Sequence, residues 1–213
     1  MSKNIASSKS EEKTAAILQG AIQEFLQHGY AATSMDKVAK TAGVSKATVY
    51  SHFGDKESLF NAVMQDLVRD KFQTVMSLQQ PQSLEQEPKI VLSAMATKML
   101  EKAQSDRAFQ DFIRIIVGES GRFPELAKAY VNNLVKPAIE TLSQYLKTHP
   151  QLQLEDPEAT VRIIMGTLVY FVMLQEMLHG KEIIPIESDR LIQTLTDLII
   201  NNPKSQNSIC DKV

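Results

Sequence analysis

The chain has 213 residues, a formal net charge of −2 and a pI near 6.1, with 43% hydrophobic and 23% charged residues. That is enough chain for one small unit and one larger core, and the charge excludes a histone-like coat of nucleic acid. Cys210 is the only cysteine, which excludes an intrachain disulfide framework and a thiolate metal cluster and fits a reducing, cytoplasmic setting. The start, MSKNIASSKSEEK, has no apolar stretch of the kind a secretory signal needs. The most apolar run, 163–178, contains Thr167, Gln175 and Glu176 and is read as too short to span a membrane.

Helical periodicity governs the whole chain, and no convincing alternating strand interrupts it, so the expected fold is all-α. Residues 1–8 read as disordered, with Ser8 and Glu11 offering a capping box for the first helix. That helix places Ala15, Leu18, Ile22 and Phe25 on one stripe and ends near Gly29. A second helix spans Ser34 to Ala42, with Met35, Val38, Ala39 and Ala42 apolar, and Gly43 supplies the left-handed conformation that ends it. Ser45 caps a third helix, about Lys46 to Phe53, which buries Val49 and Phe53 and leaves Lys46, Ala47, Thr48, Tyr50, Ser51 and His52 more exposed. Two short helices across a glycine turn make a helix-turn-helix, whose second helix can enter the DNA major groove.

Asp55 can cap a fourth helix running to about Ser77, apolar at Leu59, Val63, Leu67 and Phe72, and the two prolines of QQPQSLEQEP at 79–88 mark a loop. Further helices follow at about 90–103, at 107–117 after the possible cap Ser105, and from Phe123-Pro124 to about Lys147. Pro137 should kink or break that last helix, because it lacks the N–H that would bond the Asn133 carbonyl. Asp156-Pro157-Glu158 opens another helix to about Leu178, and Ser188 to Asn201 forms the last, followed by a frayed tail.

The stretch GYAATSMDKVAKTAGVSKATVYSHFGDKESLF at 29–60 closely resembles the DNA-binding domain of TetR-family transcriptional regulators, and the likeness runs from about Ile17 to Leu67. FQDFIRIIVGESGRFPELAKAYV at 109–131 is similar to the AefR-like branch of that family. The resemblance implies a three-helix helix-turn-helix domain at 1–56 and a helical ligand-binding and dimerisation domain at 57–213. It implies a regulator that is a repressor, released from operator DNA by a small-molecule effector. An effector-independent or activating DNA binder is the alternative, and a helical ligand carrier or enzyme is the rival from another class.

Phosphate contacts fall to Lys46, Tyr50, His52 and Lys56, and the resemblance puts Tyr50 and Lys56 on phosphate-contacting positions. Base reading falls to Lys46, Ala47, Thr48 and Ser51 in the major groove, while Thr33, Ser34 and the cap Ser45 complete the DNA-facing set. Residues 1–56 carry seven lysines against five acids, and the rest of the chain 16 basic against 20 acidic groups, so the positive side holds the motif. No arginine precedes Arg69, which removes the bidentate guanidinium often used to read guanine and leaves part of the readout to shape and thymine methyls.

The run from Ile163 to Leu174 is apolar nearly all round, so its helix must bury two sides. By resemblance the last two long helices pair with those of a second copy through Leu168, Phe171, Val172, Leu195 and Leu198. A largely apolar effector would sit among Met95 and Met99 of one helix and Phe109, Phe112, Ile113 and Ile116 of the next. Tyr130, Leu134 and Pro137 would follow, then Tyr170, Met173 and Met177; methionines suit a permissive pocket, although core packing explains most of these residues one by one. Arg114, Asn133 and Gln175 could orient a polar group, but periodicity does not assign their faces. Nothing in the sequence supports a catalytic group, a metal or a cofactor: His28, His52, His149 and His179 are scattered, without ligand spacing.

Overall fold

The computed structural model describes residues 2–76, 85–149 and 152–201, with backbone alone for 2–9, 68 and 70–76. Residues 79–84 of the loop expected at 79–88, the Phe72 side chain and the tail that carries Cys210 lie outside the described residues, and Pro88, expected in that loop, opens a helix. All regular structure among the described residues is helical, as the periodicity requires.

Helix limits follow the capping chemistry closely. Helix α1 covers Ser2–Ala32, so Ser8 lies within a helix and does not cap one. Gly29 departs from helical geometry at φ 73 and ψ 171, which places the kink where the sequence ended the helix, and one further turn follows. Ala15 is exposed, whereas Ile17, Ala21, Ile22 and Phe25 are buried, a stripe rotated from the expected one. Helix α2 is Met35–Thr41 and α3 is Lys46–Phe53. Helix α4, Lys56–Met76, begins where Asp55 Oδ1 accepts the Ser58 N–H at 2.7 Å.

Helix α5 is Pro88–Ser105 and α6 is Arg107–Glu119. Ser105 ends α5 and does not cap α6: its hydroxyl donates back to the Glu101 and Lys102 carbonyls at 2.8 and 3.3 Å. Pro124 opens α7, Pro124–Tyr130, which passes through a π-helical turn at Val131–Val135 into α8, Lys136–Lys147. The expected disturbance at Pro137 is therefore a π turn ahead of the proline, which then sits in the first turn of α8, where no N–H is needed. Asn133 Nδ2 donates to the Ala129 carbonyl at 2.8 Å and so supports the wide turn. Asp156 caps α9, Pro157–Val172, by accepting the Ala159 N–H at 2.9 Å; a second π turn, Met173–Met177, continues it, and α10 is Ser188–Ile200.

Two compact units arise from the contacts, Met1–Val68 with Ala108–Asn133 and Arg69–Arg107 with Leu134–Val213. The first extends past the expected boundary at 56/57 because aromatic rings from distant segments share one core. Phe60 stacks on Phe112 with ring centroids 4.8 Å apart and meets Phe25 and Tyr30 edge-on, both at 5.3 Å. Phe123 packs edge-on against Tyr30 at 5.0 Å.

The second unit is a helical core built by Val91, Leu92, Met95 and Leu100 of α5, Leu142 and Leu146 of α8, Val161, Ile164, Leu168 and Phe171 of α9, and Ile192, Leu195 and Ile199 of α10. An ion pair, Lys89 to Asp197 at 2.6 Å, joins α5 to α10. Pro157–Met177 is 21 residues long and holds an 18-residue window with a mean hydropathy of 1.4, so by length and composition alone it passes as a membrane span, while the run at 163–178 is itself shorter than such a window. The buried stripe of this helix packs into the core of this unit.

Candidate nucleic-acid interface

The geometry of the α2–α3 pair follows from four residues. Ser34 caps α2 by accepting the Lys37 N–H at 3.3 Å, and Ser45 caps α3 by accepting the Thr48 N–H at 3.1 Å. Gly43, at φ 67, turns the chain between them, and its N–H bonds the Lys40 carbonyl at 3.2 Å. Gly20 on α1 lets α2 approach closely: a Cβ there would stand 3.0 Å from Ala42 Cβ. Val49, on the inner side of α3, is fully buried, and Phe53 is half-buried, less than its periodicity suggested.

The outer face of α3 presents Lys46, Ala47, Tyr50 and Ser51, with Thr48 and His52 half-buried. Lys46 Nζ lies 2.8 Å from Asp36 Oδ1 and 2.9 Å from Oδ2, and 5.7 Å from the centre of the Tyr50 ring. The hydrogen bond and charge of Asp36 raise the Lys46 ammonium above its ordinary value, so it stays charged. Both partners are well exposed, and such a pair exchanges easily for another anion. Ser51 donates to the Thr48 carbonyl at 2.9 Å, and the His52 Nδ1–H donates to that same carbonyl at 2.8 Å. Ser45 and Thr48 hydroxyls meet at 2.8 Å.

Two expected contact residues are placed differently. Thr33 is buried, and its hydroxyl is shared between the Gly29 and Glu24 carbonyls at 2.8 and 3.0 Å. It closes the Gly29 kink, so its side chain is buried and not open for the contact expected of it. Lys56 is half-buried: its Nζ donates to the Tyr30 and Thr33 carbonyls at 2.9 and 3.1 Å and sits 4.3 Å over the Tyr30 ring. Burial lowers the Lys56 ammonium while the Glu119 carboxylate raises it, and the third N–H of the ammonium is not used by these bonds. Lys56 is thus a clamp between the end of α1 and the start of α4. Sequence reasoning missed Tyr30, its partner, although the Gly29-Tyr30 dipeptide marks the place. Burial, aided by the charges of Glu125, Glu57 and Asp55, pushes the Tyr30 hydroxyl up to about 12.

The other candidate residues divide between the two units. Phe112 and Ile116 are buried in the first unit, with Phe109, Ile113 and Tyr130 half-buried there. Burial also pushes the Tyr130 hydroxyl up. In the second unit Met95 is buried, Met99, Leu134, Pro137 and Met177 are half-buried, and Tyr170 and Met173 are exposed, outside the core that the pocket expectation assumed.

Four of the five residues expected to pair with a second copy turn inward. Leu168, Phe171 and Leu195 point into the core of their own unit, and Val172 packs against that core. The outward apolar side of α9 and its π turn is Ile163, Val169, Tyr170 and Met173; on α10 it is Leu198, 72% exposed.

These features have counterparts in known proteins. A family model for bacterial regulatory proteins of the tetR family matches residues 17–63. A second, for the carboxy-terminal domain of AefR-like transcriptional repressors, matches residues 90–201. Over 65 residues the chain is 42% identical to YhgD of Bacillus subtilis, an uncharacterized HTH-type transcriptional regulator, which is 30% of this chain and 34% of that one. It is 42% identical over 55 residues to FasR of Mycolicibacterium smegmatis, an HTH-type transcriptional activator, covering 26% of this chain and 25% of FasR. These matches span about a third or less of the curated relatives. Among solved structures, the flavonoid-responsive regulator FrrA matches with a TM-score of 0.66 and 28% identity, over 88% of this chain and 94% of that one.

Proposed function

We propose that this chain, which belongs to the TetR family of bacterial regulatory proteins, is a transcriptional repressor that binds operator DNA as a homodimer and releases it when a small molecule binds the larger helical unit. The observation that carries the reading is the capped α2–turn–α3 pair, with Lys46, Ala47, Tyr50 and Ser51 on the open face of α3. A helix presented in this way enters a major groove with its amino-terminal residues at base edges, and a lysine paired with an exposed carboxylate can turn to phosphate or guanine. The outward apolar side of α9 supports the dimer, since a second copy would remove Ile163, Val169 and Tyr170 from water. Two recognition helices would then face successive major grooves, roughly 34–36 Å apart.

The effector reading rests on the family and on the response to flavonoids that the name of FrrA declares for that protein. Such a ligand acts only by binding the DNA-incompetent arrangement more tightly than the competent one. Helix α4, whose residues are divided between the two compact units, is the connector in this reading. The activating alternative is favoured by one specific observation, the activator FasR among the relatives. A promoter fused to a reporter separates the two signs, because deletion of the regulator raises expression under repression and lowers it under activation.

Lys56 gives this reading a quantitative test. Two of its N–H groups clamp α1, and the third is assigned here to a DNA phosphate. Lys56→Ala is expected to lower stability by about 1–2 kcal/mol through the lost bonds to the Tyr30 and Thr33 carbonyls. It should also reduce the slope of log affinity against log salt by about one unit, equally on all DNA sequences. Denaturant titration and binding at several salt concentrations read the two effects separately. A lower stability with an unchanged salt slope would leave Lys56 as a clamp only.

A further inference from the structure

The buried stripe of α9 recurs at helical spacing as Val161, Ile164, Leu168 and Phe171, and the next residue in that series is Gln175. An aliphatic side chain would complete the stripe, yet Gln175 is 3% exposed and enters the same unit as Met95, Leu100, Leu168 and Phe171. It lies in the π turn Met173–Met177, the kind of local widening that often marks a functional site. Its Nε2 donates to the Ile184 carbonyl at 3.1 Å, and that carbonyl fixes which end of the amide is nitrogen. Gln175 Oε1 is therefore a buried acceptor, and it has no hydrogen-bond partner among the described residues. Its neighbour Glu176 is engaged instead with Gln104, whose Nε2 donates at 3.1 Å, and with Lys181 at 3.7 Å. A buried acceptor left unmade is costly, and leucine at the same place would remove it at the expense of only the bond to the Ile184 carbonyl.

We propose that Gln175 is the polar recognition point for the effector, and that the effector is a mainly apolar molecule carrying one hydrogen-bond donor, a hydroxyl or N–H, which Gln175 Oε1 accepts. This rests on the effector-responsive reading of the larger unit and adds the chemistry of its ligand. Apolar contact then supplies most of the affinity, and the single acceptor supplies the selectivity, because a molecule without a donor leaves it unpaired.

The test uses two probes of nearly equal shape, 4-butylphenol and butylbenzene, with the full chain in titration calorimetry. Binding to operator DNA selected from random duplexes is measured in parallel. The wild type should favour the phenol over the hydrocarbon by a ratio that falls about tenfold in Gln175→Leu and in Gln175→Met. Both variants should keep operator affinity and stay folded, since each removes an unpaired polar atom and gives up one bond to the carbonyl of Ile184, a residue 57% exposed. Two variants guard against one that packs badly. An unchanged ratio in a folded variant, or no binding of the phenol to the wild type, overturns the assignment. If operator binding persists in those cases, the DNA-binding reading stands while the assignment to Gln175 falls; if the wild type fails to bind any duplex, it is the regulator reading that falls.

Discussion

Tyr170→Glu is expected to turn the protein into a folded monomer with about 10²- to 10⁴-fold weaker operator binding. Tyr170 is 57% exposed on the side of α9 opposite Leu168 and Phe171, so a carboxylate there meets water in the monomer and costs the fold little. In a dimer built on this face the same charge would be buried without a partner, at a cost of several kcal/mol. Separation of the copies removes the tether that makes the second half-site contact intramolecular, and a tether of that kind contributes 10² to 10⁴ in avidity. Phe171→Glu is the control, because Phe171 points into the core and its replacement should unfold the chain. Light scattering and far-ultraviolet circular dichroism distinguish the two outcomes. A Tyr170→Glu protein that remains a dimer with full operator affinity would place the pairing face elsewhere.

The neighbouring Tyr170 and Phe171 also indicate what was legible in the sequence. The starts of α2, α3 and α9 could be read almost to the residue, because Ser34, Ser45 and Asp156-Pro157 act locally through caps, and Pro137 marked the disturbance that precedes α8 without giving its form. The face of α9 could not be read. Where a helix is apolar on every side, periodicity carries no phase information, and Leu168, Phe171 and Leu195 were assigned to the wrong side of their helices. Gln175 was recognised as polar, but only the observed stripe establishes that it points inward. The inward turn of Thr33 and Lys56 was equally out of reach. Both bond carbonyls exposed by the kink at Gly29, a consequence of backbone conformation rather than of residue pattern. The boundary expected at 56/57 misses the first packing unit, since stacking between Phe60 and Phe112 is set by tertiary contact across 52 residues of chain.

That ring stack carries the second large effect. Phe60→Ala is expected to lower unfolding free energy by about 3–5 kcal/mol, the usual cost of emptying a well-packed aromatic site. Phe60 is 1% exposed and touches three other rings, Phe25, Tyr30 and Phe112, so its removal leaves a cavity lined by groups fixed from α1 and α6. Phe112→Ala should cost a similar amount. The double variant should lose less than the sum by about 0.5–1.5 kcal/mol, the coupling typical of an aromatic pair. Urea unfolding followed by circular dichroism measures all three. A loss below about 1 kcal/mol for Phe60→Ala would mean that the cluster relaxes around the gap and does not bind α6 to the DNA-binding helices.

The central claim is that two copies of this chain read one DNA site through their α3 helices. Selection from a pool of random duplexes, followed by sequencing and by titration of the selected duplex to saturation, tests it most directly. The account predicts enrichment of an inverted repeat whose half-sites lie one helical turn, or a multiple of it, apart, with two chains bound for each repeat or a whole multiple of two. Failure to enrich any sequence, or saturation of a single half-site by one chain at full affinity, would contradict it.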